Sequence, residues 1–322
     1  MRPVAEALHP TTAQDLPTAE TPFDRLAIIG IGLIGSSIAH AVRKFALARR
    51  VVLYDNVAAV RSEAAGLRLG DEIAATIADA VRDADAVIVC VPVGACGAVA
   101  EEIAPHLKAG VIVSDVGSVK GAVVKAMQEK LPVHARLVPA HPVAGTENSG
   151  PSSGFASLFV NRWCILTPPE ATDAAAIARI RAFWEGMGAN VEIMSAEHHD
   201  LVLAVTSHLP HLIAYNIVGT ADDLESVTES EVIKFSAGGF RDFTRIAASD
   251  PTMWRDVFLH NKEAVLEVLA RFNEDLSALA RAIRWGEGDK LFDLFSRTRD
   301  IRRGIVSQGQ ETAEPDFGRR KV

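Results

Sequence analysis

Ile28-Ile29-Gly30-Ile31-Gly32-Leu33-Ile34-Gly35 is the stretch on which the fold turns. It reads G-x-G-x-x-G, with the apolar run Leu26–Ile29 before it and the helix-like segment Ser36–Phe45 after it. A glycine-rich loop alone is a weak signal, but between a strand and a helix it is the turn of a dinucleotide-binding βαβ unit. Gly30 makes the tight turn, Gly32 lets backbone amides approach a pyrophosphate, and Gly35 lets helix and strand pack closely. Leu33 and Ile34 lie at the helix N-terminus, where free N–H groups and the helix dipole favour phosphate.

The next apolar run, Val51–Tyr54, ends at Asp55, about 20 residues beyond Gly35, where an acid accepts hydrogen bonds from ribose hydroxyls. A carboxylate there repels a 2′-phosphate, so NAD is the expected cofactor. Arg61 lies near enough in sequence to keep NADP possible.

Working outward, Ala86–Val91, Val111–Ser114 and Arg136–Pro139 are further strand candidates, separated by the helix-like segments Ala95–His106 and Gly121–Lys130. Alternation of this kind predicts parallel strands with crossover helices. Trp163–Thr167 and Val191–Met194 flank the Ala-rich helix Asp173–Met187 and are expected to extend the same sheet. After Glu197 the texture is helical: Ala196–Thr220, Leu224–Phe235, Phe240–Ala248, Met253–Arg284 and Asp289–Arg303. The expected architecture is an α/β Rossmann-type dinucleotide-binding domain, 25–195, followed by an all-α domain, 196–303. A disordered leader, 1–24, and a disordered polar tail, 304–322, would flank them. A helix as long as Met253–Arg284 must bury its apolar stripe, which suggests a homodimer.

Composition narrows the function. The 322 residues are 48% hydrophobic and 23% charged, ordinary for a globular protein. A net charge of −8 argues against general nucleic-acid binding. No apolar run approaches the roughly 20 residues of a membrane span, and the N-terminus lacks the pattern of a secretory signal. Cys90, Cys96 and Cys164 form no CxxC pair, and a cytoplasmic setting with reduced thiols accounts for them.

Val91-Pro92 and Asp115–Lys120 end strands at the carboxyl edge, where open sheets bind ligands. Ser118 reads as a cap for the helix that follows, or as a partner of a catalytic group. His141 opens HPVAGTENSG, 141–150, after the strand-like run Leu137–Ala140, and Pro142 pins it. A dehydrogenase acting on a C–OH must remove the hydroxyl proton, and neutral imidazole suits that task near pH 7. His208 and His211 share a helix face, but no HExxH and no third ligand accompany them, so no metal is expected. His198, His199 and Asp200 read as a helix start rather than a triad, and Trp254 as core.

HPVAGTENSG, Ser157-Leu158-Phe159, Ile165–Pro168, Asp115–Lys120, Ser207–His211 and Gly238–Trp254 together resemble the prephenate and arogenate dehydrogenases of tyrosine biosynthesis. The resemblance implies a helical dimerisation domain, NAD(P), and oxidative decarboxylation of a cyclohexadienyl ring. It makes His141 the acceptor of the 4-hydroxyl proton, with Ser118 orienting that imidazole and the nicotinamide. It makes Arg245 the holder of a substrate carboxylate, and Ser207 and His211 substrate contacts. Glu147 would pair with Arg245 as a gate or cap its loop. Glu147 or Asp242 would read an ammonium if arogenate is the substrate. With so short a segment before Leu26, no fused chorismate mutase is expected, nor is a ligand-sensing module expected after the helical half. Tyrosine inhibition would then act at the active site. The competing readings are a β-hydroxyacid dehydrogenase, with Lys120 the one tempting catalytic lysine, and a non-catalytic NAD-responsive regulator.

Overall fold

A computed structural model describes residues 22–146, 148–225 and 234–305. Glu147, most of the leader and tail, and residues 226–233 of the expected helix Leu224–Phe235 lie outside the described residues. The chain to Val265 forms one compact unit and the chain from Leu266 a second.

The first unit begins with β1 (Phe23–Ile29), α1 (Leu33–Phe45), β2 (Ala48–Tyr54), α2 (Ala58–Gly66), β3 (Glu72–Ile73), α3 (Ile77–Val81) and β4 (Ala86–Val89). It continues through α4 (Cys96–Ile103), β5 (Ile112–Asp115), α5 (Gly121–Gln128) and β6 (Arg136–Leu137). These six strands form one parallel sheet, order β3-β2-β1-β4-β5-β6. This is the expected Rossmann-type half. Helices cover both faces, so alternate strand residues serve two cores. Leu26, Ile28, Ala86, Ile88 and Ile112 enter one core, while Ala27, Ile29, Val87, Val89 and Val113 enter the other.

Then come β7 (Ala140–Pro142), β8 (Trp163–Leu166), α6 (Ala174–Gly186) and β9 (Asn190–Ile193). The strands at 163–166 and 190–193 do not extend the parallel sheet. They join β7 in a second, three-stranded sheet of order β7-β8-β9, with β7 and β8 antiparallel. The ladder with β5 runs out near Pro139. Val138 still donates to Val113 O at 2.9 Å, but Ala140 N reaches only the Asp115 carboxylate, at 3.3 Å. Pro139 has no N–H, and its carbonyl accepts Thr167 N at 3.0 Å instead. The switch of sheets therefore falls directly before His141.

The helical half begins with α7 (Ala196–Leu203), a π turn (Ala204–His208) and α8 (Leu209–Glu225). Pro210 lacks an N–H, and its ring crowds the carbonyl four residues back, which opens the helix just upstream. This rod, Ala196–Leu224, has a mean hydropathy of 1.4 in its most apolar window, enough by length and composition for a membrane span. It nevertheless carries buried His199, Asp200 and His208, all bonded within the unit. The chain continues with α9 (Gly238–Thr244), α10 (Pro251–His260) and α11 (Lys262–Trp285). The single helix expected over Met253–Arg284 breaks at Asn261, whose backbone leaves the helical region (φ −107°, ψ 31°). Its amide side chain turns inward, onto Asp200 O at 2.8 Å and His208 Nδ1 at 3.1 Å. In the second unit, most of α11 and all of α12 (Gly288–Ile305) leave Ile283, Trp285 and Phe292 between 67% and 73% exposed.

Candidate active site

The glycine loop has the shape its sequence requires. Gly30 sits at φ +95°, and a Cβ there would run into the Cys90 carbonyl. A Cβ on Gly35 would strike the Gly30 carbonyl, whereas Gly32 faces nothing within 4 Å. The loop is thus tight where it packs and open where a phosphate would approach. Helix α1 begins at Leu33, three residues earlier than expected, so Leu33 and Ile34 form its first turn. Asp55 Oδ2 accepts Ile31 N at 2.9 Å and Oδ1 accepts Val57 N at 2.9 Å, which holds the carboxylate beside the loop with acceptor capacity to spare. Arg61 donates to Asp55 O at 2.6 Å and lies over the Tyr54 ring. Val91 is half-buried and Pro92 exposed, at the end of β4. These residues fit a dinucleotide.

His141 lies in β7, and its side chain is held from an unexpected quarter. His141 Nδ1 meets His199 Nε2 at 2.8 Å, and His199 Nδ1 meets Asp200 Oδ1 at 2.8 Å. The histidine–aspartate pair read as a mere helix start is therefore a buried relay behind His141. Asp200 in turn caps α5, accepting Lys120 N at 2.7 Å and Gly121 N at 2.8 Å. Two of the orphan N–H groups at that helix start are satisfied from α7, not by Ser118. Ser118 is half-buried, and its hydroxyl makes no hydrogen bond among the described residues, so it does not hold the His141 imidazole here.

Lys120 is fully buried. Its Nζ pairs with Asp115 Oδ2 at 2.5 Å and donates to Ala140 O at 2.7 Å. Asp115 also accepts Gly117 N at 2.7 Å. The pair clamps the backbone immediately before His141. A lysine so committed is not the free amine that a β-hydroxyacid dehydrogenase needs. Burial, then the neighbouring His199, Lys120 and His208, hold the His141 imidazole well below its ordinary pKa, so it is neutral near pH 7.

A second group surrounds the π turn. His211 stacks on Trp254, ring centroids 3.6 Å apart, and its Nδ1 bonds Ser207 O at 2.8 Å. Burial lowers the His211 pKa, the Ser207 bond opposes this, and the charge of nearby Arg245 adds to the lowering. Ser207, His211, Trp254 and Arg245 thus share one neighbourhood. Trp254 Nε1 is a buried polar atom with no hydrogen-bond partner among the described residues. Asp242, in α9, is exposed and makes no polar contact among the described residues. Glu147 lies outside the described residues. A charged cleft lined by Arg25, Glu72, Asp79 and Arg82 contains none of these site residues.

Residues 38–193 match the prephenate dehydrogenase nucleotide-binding domain, and residues 195–297 the prephenate dehydrogenase dimerization domain. The chain belongs to the prephenate dehydrogenase family. Among the relatives of this prephenate dehydrogenase family member, a cyclohexadienyl dehydrogenase of Zymomonas mobilis is 49% identical over 282 residues, 88% of this chain and 96% of the relative. A prephenate dehydrogenase of Bacillus subtilis is 35% identical over 297 residues, 91% of this chain and 79% of the relative. The crystal structure of Aquifex aeolicus prephenate dehydrogenase, in complex with hydroxyphenyl propionate and NAD+, superposes with a TM-score of 0.82. It is 34% identical and covers 88% of this chain and 98% of its own.

Lys120, Asp115, His199, Asp200 and Asn261 were not singled out by sequence as parts of the His141 environment. The one available signal was the pairing of His199 with Asp200, a residue combination that also starts ordinary helices.

Proposed function

We propose that this member of the family is an NAD-dependent oxidoreductase that oxidatively decarboxylates prephenate, arogenate or both, with His141 as the base. The observation that carries the reading is the buried His141, which follows the last strand of the dinucleotide-binding sheet at the switch to the second sheet, in a chain of this family. Gly30, Gly32, Gly35 and the first turn of α1 would hold the pyrophosphate, and Asp55 the adenosine ribose. Bound NAD supplies the hydride acceptor. His141 takes the 4-hydroxyl proton as hydride leaves C4. The bond from C1 to the carboxyl carbon then breaks, CO₂ departs, its electron pair completes the aromatic ring, and the proton returns to the phenol oxygen. Arg245 would hold a substrate carboxylate, with Ser207 and His211 beside it, and Ser118 would align the nicotinamide.

Glu147 or Asp242 would read an arogenate ammonium, which leaves room for use of both substrates. Tyrosine, the product of the arogenate reaction, would compete at the same site. The match of residues 195–297 to the prephenate dehydrogenase dimerization domain supports a homodimer through the helical half. Three free cysteines, Cys90, Cys96 and Cys164, suit a cytoplasmic enzyme.

The deciding experiment supplies NAD with prephenate or arogenate and follows NADH together with CO₂. Equal amounts of both products are expected. Absence of NADH with either acid, while calorimetry still detects NAD binding, would overturn the proposal.

A further inference from the structure

His199 has a fully buried side chain and so touches neither solvent nor substrate, yet it is the direct neighbour of His141. The hydrogen-bond directions along the relay follow from its far end. Asp200 Oδ1 accepts Lys120 N and Oδ2 accepts Gly121 N. Backbone N–H groups only donate, so the carboxylate meets both as an acceptor. Toward His199 Nδ1 it is again the acceptor, at 2.8 Å, which places the hydrogen on Nδ1 of that ring. A neutral imidazole carries one hydrogen, so His199 Nε2 is a bare lone pair. It faces His141 Nδ1 at 2.8 Å, and two bare nitrogens do not approach so closely. The hydrogen between them belongs to His141 Nδ1, and His141 Nε2 is left bare.

We propose that His199 and Asp200 are positioning residues that lock His141 in its Nδ1–H tautomer, with Nε2 free to act as the base. The proposal rests on the reading of His141 as the base and names the groups that set its state. It also explains why the capping carboxylate of α5 comes from α7. Asp200 spends its oxygens on two fixed backbone donors, so its acceptor role toward His199 is settled before substrate arrives. The Asn261 amide adds to the frame by bonding Asp200 O and His208 Nδ1. When His141 Nε2 takes up a proton, its Nδ1–H stays on His199, and the Asp200 charge beyond stabilises the imidazolium.

The test uses full-length enzyme labelled with ¹⁵N at histidine, with the His141 signals identified by their loss in His141→Asn. In the unsubstituted enzyme His141 should appear as the Nδ1–H tautomer. In His199→Leu the acceptor is gone, so the tautomer should shift toward Nε2–H. The value of kcat should fall ~10²-fold or more, as when a base presents the wrong tautomer, while KM changes little. In His199→Gln the amide oxygen can replace Nε2 as acceptor, so the Nδ1–H form and most of kcat should return. An Nε2–H form of His141 in the unsubstituted enzyme overturns the proposal, whether or not the variants fold. So does equal activity of the Leu and Gln variants. An enzyme that oxidises neither acid yet shows Nδ1–H at His141 refutes the proposed function and leaves the positioning role standing.

Discussion

The Asp200 carboxylate accepts the backbone N–H of Lys120 at 2.7 Å, a bond that joins residues 80 positions apart. It ties the first helix of the helical half to the start of α5, whose own sequence provides no side-chain cap. His199 hangs from the same carboxylate, so one residue supports both the helix and the histidine relay. Asp200→Ala should strand three donors and cost ~1–3 kcal/mol, read as a lower urea midpoint at unchanged slope. A midpoint within error of the parent would show that the cap contributes nothing.

Lys120 and Asp115 are a buried ion pair, and breaking such a pair costs more than removing it. Lys120→Met should destabilise the protein by ~3–5 kcal/mol, because Asp115 remains charged and unpaired. Adding Asp115→Asn should recover part of that loss in the same urea titration. A double variant no more stable than Lys120→Met would contradict the pairing argument.

Stability should depend on pH in a defined direction. Burial pushes His208 down to about 4 in the folded protein, against an ordinary value of 6.5. Above about pH 6.5 both states are neutral and His208 contributes no slope. Below it the unfolded chain binds the proton first, so stability falls as pH drops, by about 3 kcal/mol in total once pH passes 4. His141 and His199 are shifted the same way and steepen the fall. His208→Asn, whose amide oxygen can face Asn261, should flatten the slope of unfolding free energy between about pH 7 and about pH 5. An unchanged slope would remove His208 from the account.

Two glycines of one loop should respond differently. Gly35→Ala drives a Cβ into the Gly30 carbonyl and should cost ~1–3 kcal/mol of stability. Gly32→Ala meets open space and should fold like the parent, yet bind NAD more weakly because the methyl group occupies the phosphate approach. Thermal unfolding and NAD calorimetry on the two variants separate these effects. NAD affinity unaltered in Gly32→Ala would place the pyrophosphate elsewhere.

Arg245 is the proposed carboxylate holder. Arg245→Met should raise KM for the cyclohexadienyl acid ~10- to 100-fold, matching the loss of ~1.5–3 kcal/mol for a charged hydrogen bond, with a smaller effect on kcat. The KM for NAD should not move. A parallel rise in both KM values would indicate a general structural defect.

Much of the cofactor half was legible in the chain because its signals are local. The positive φ of Gly30 and the packing of Gly35 follow from the missing Cβ, and Asp55 lies one strand further on. The strands announced themselves as short apolar runs. The second sheet was not legible, because Trp163–Leu166 looks the same whether it extends a parallel sheet or pairs antiparallel with β7. The choice depends on where the chain stands after Pro139.

The helical half shows the same division. His199 and His208 are nine positions apart, which on a regular α-helix at about 100° per residue puts them on opposite faces. The π turn at Ala204–His208 inserts one residue and rotates His208 roughly 100° back toward the face of His199. Pro210 hinted at a disturbance, but not at its form. Sequence by itself determined the dinucleotide loop, the two-part layout, the candidate base His141 and the family resemblance. Those rest on backbone sterics and short-range periodicity. Tertiary structure alone decided that His141 answers to His199 and Asp200, that Lys120 is a buried clamp, and that Asp200 caps α5. These contacts join segments far apart in the chain, and hydrogen bonds a few ångströms long form only where the fold has brought the partners together.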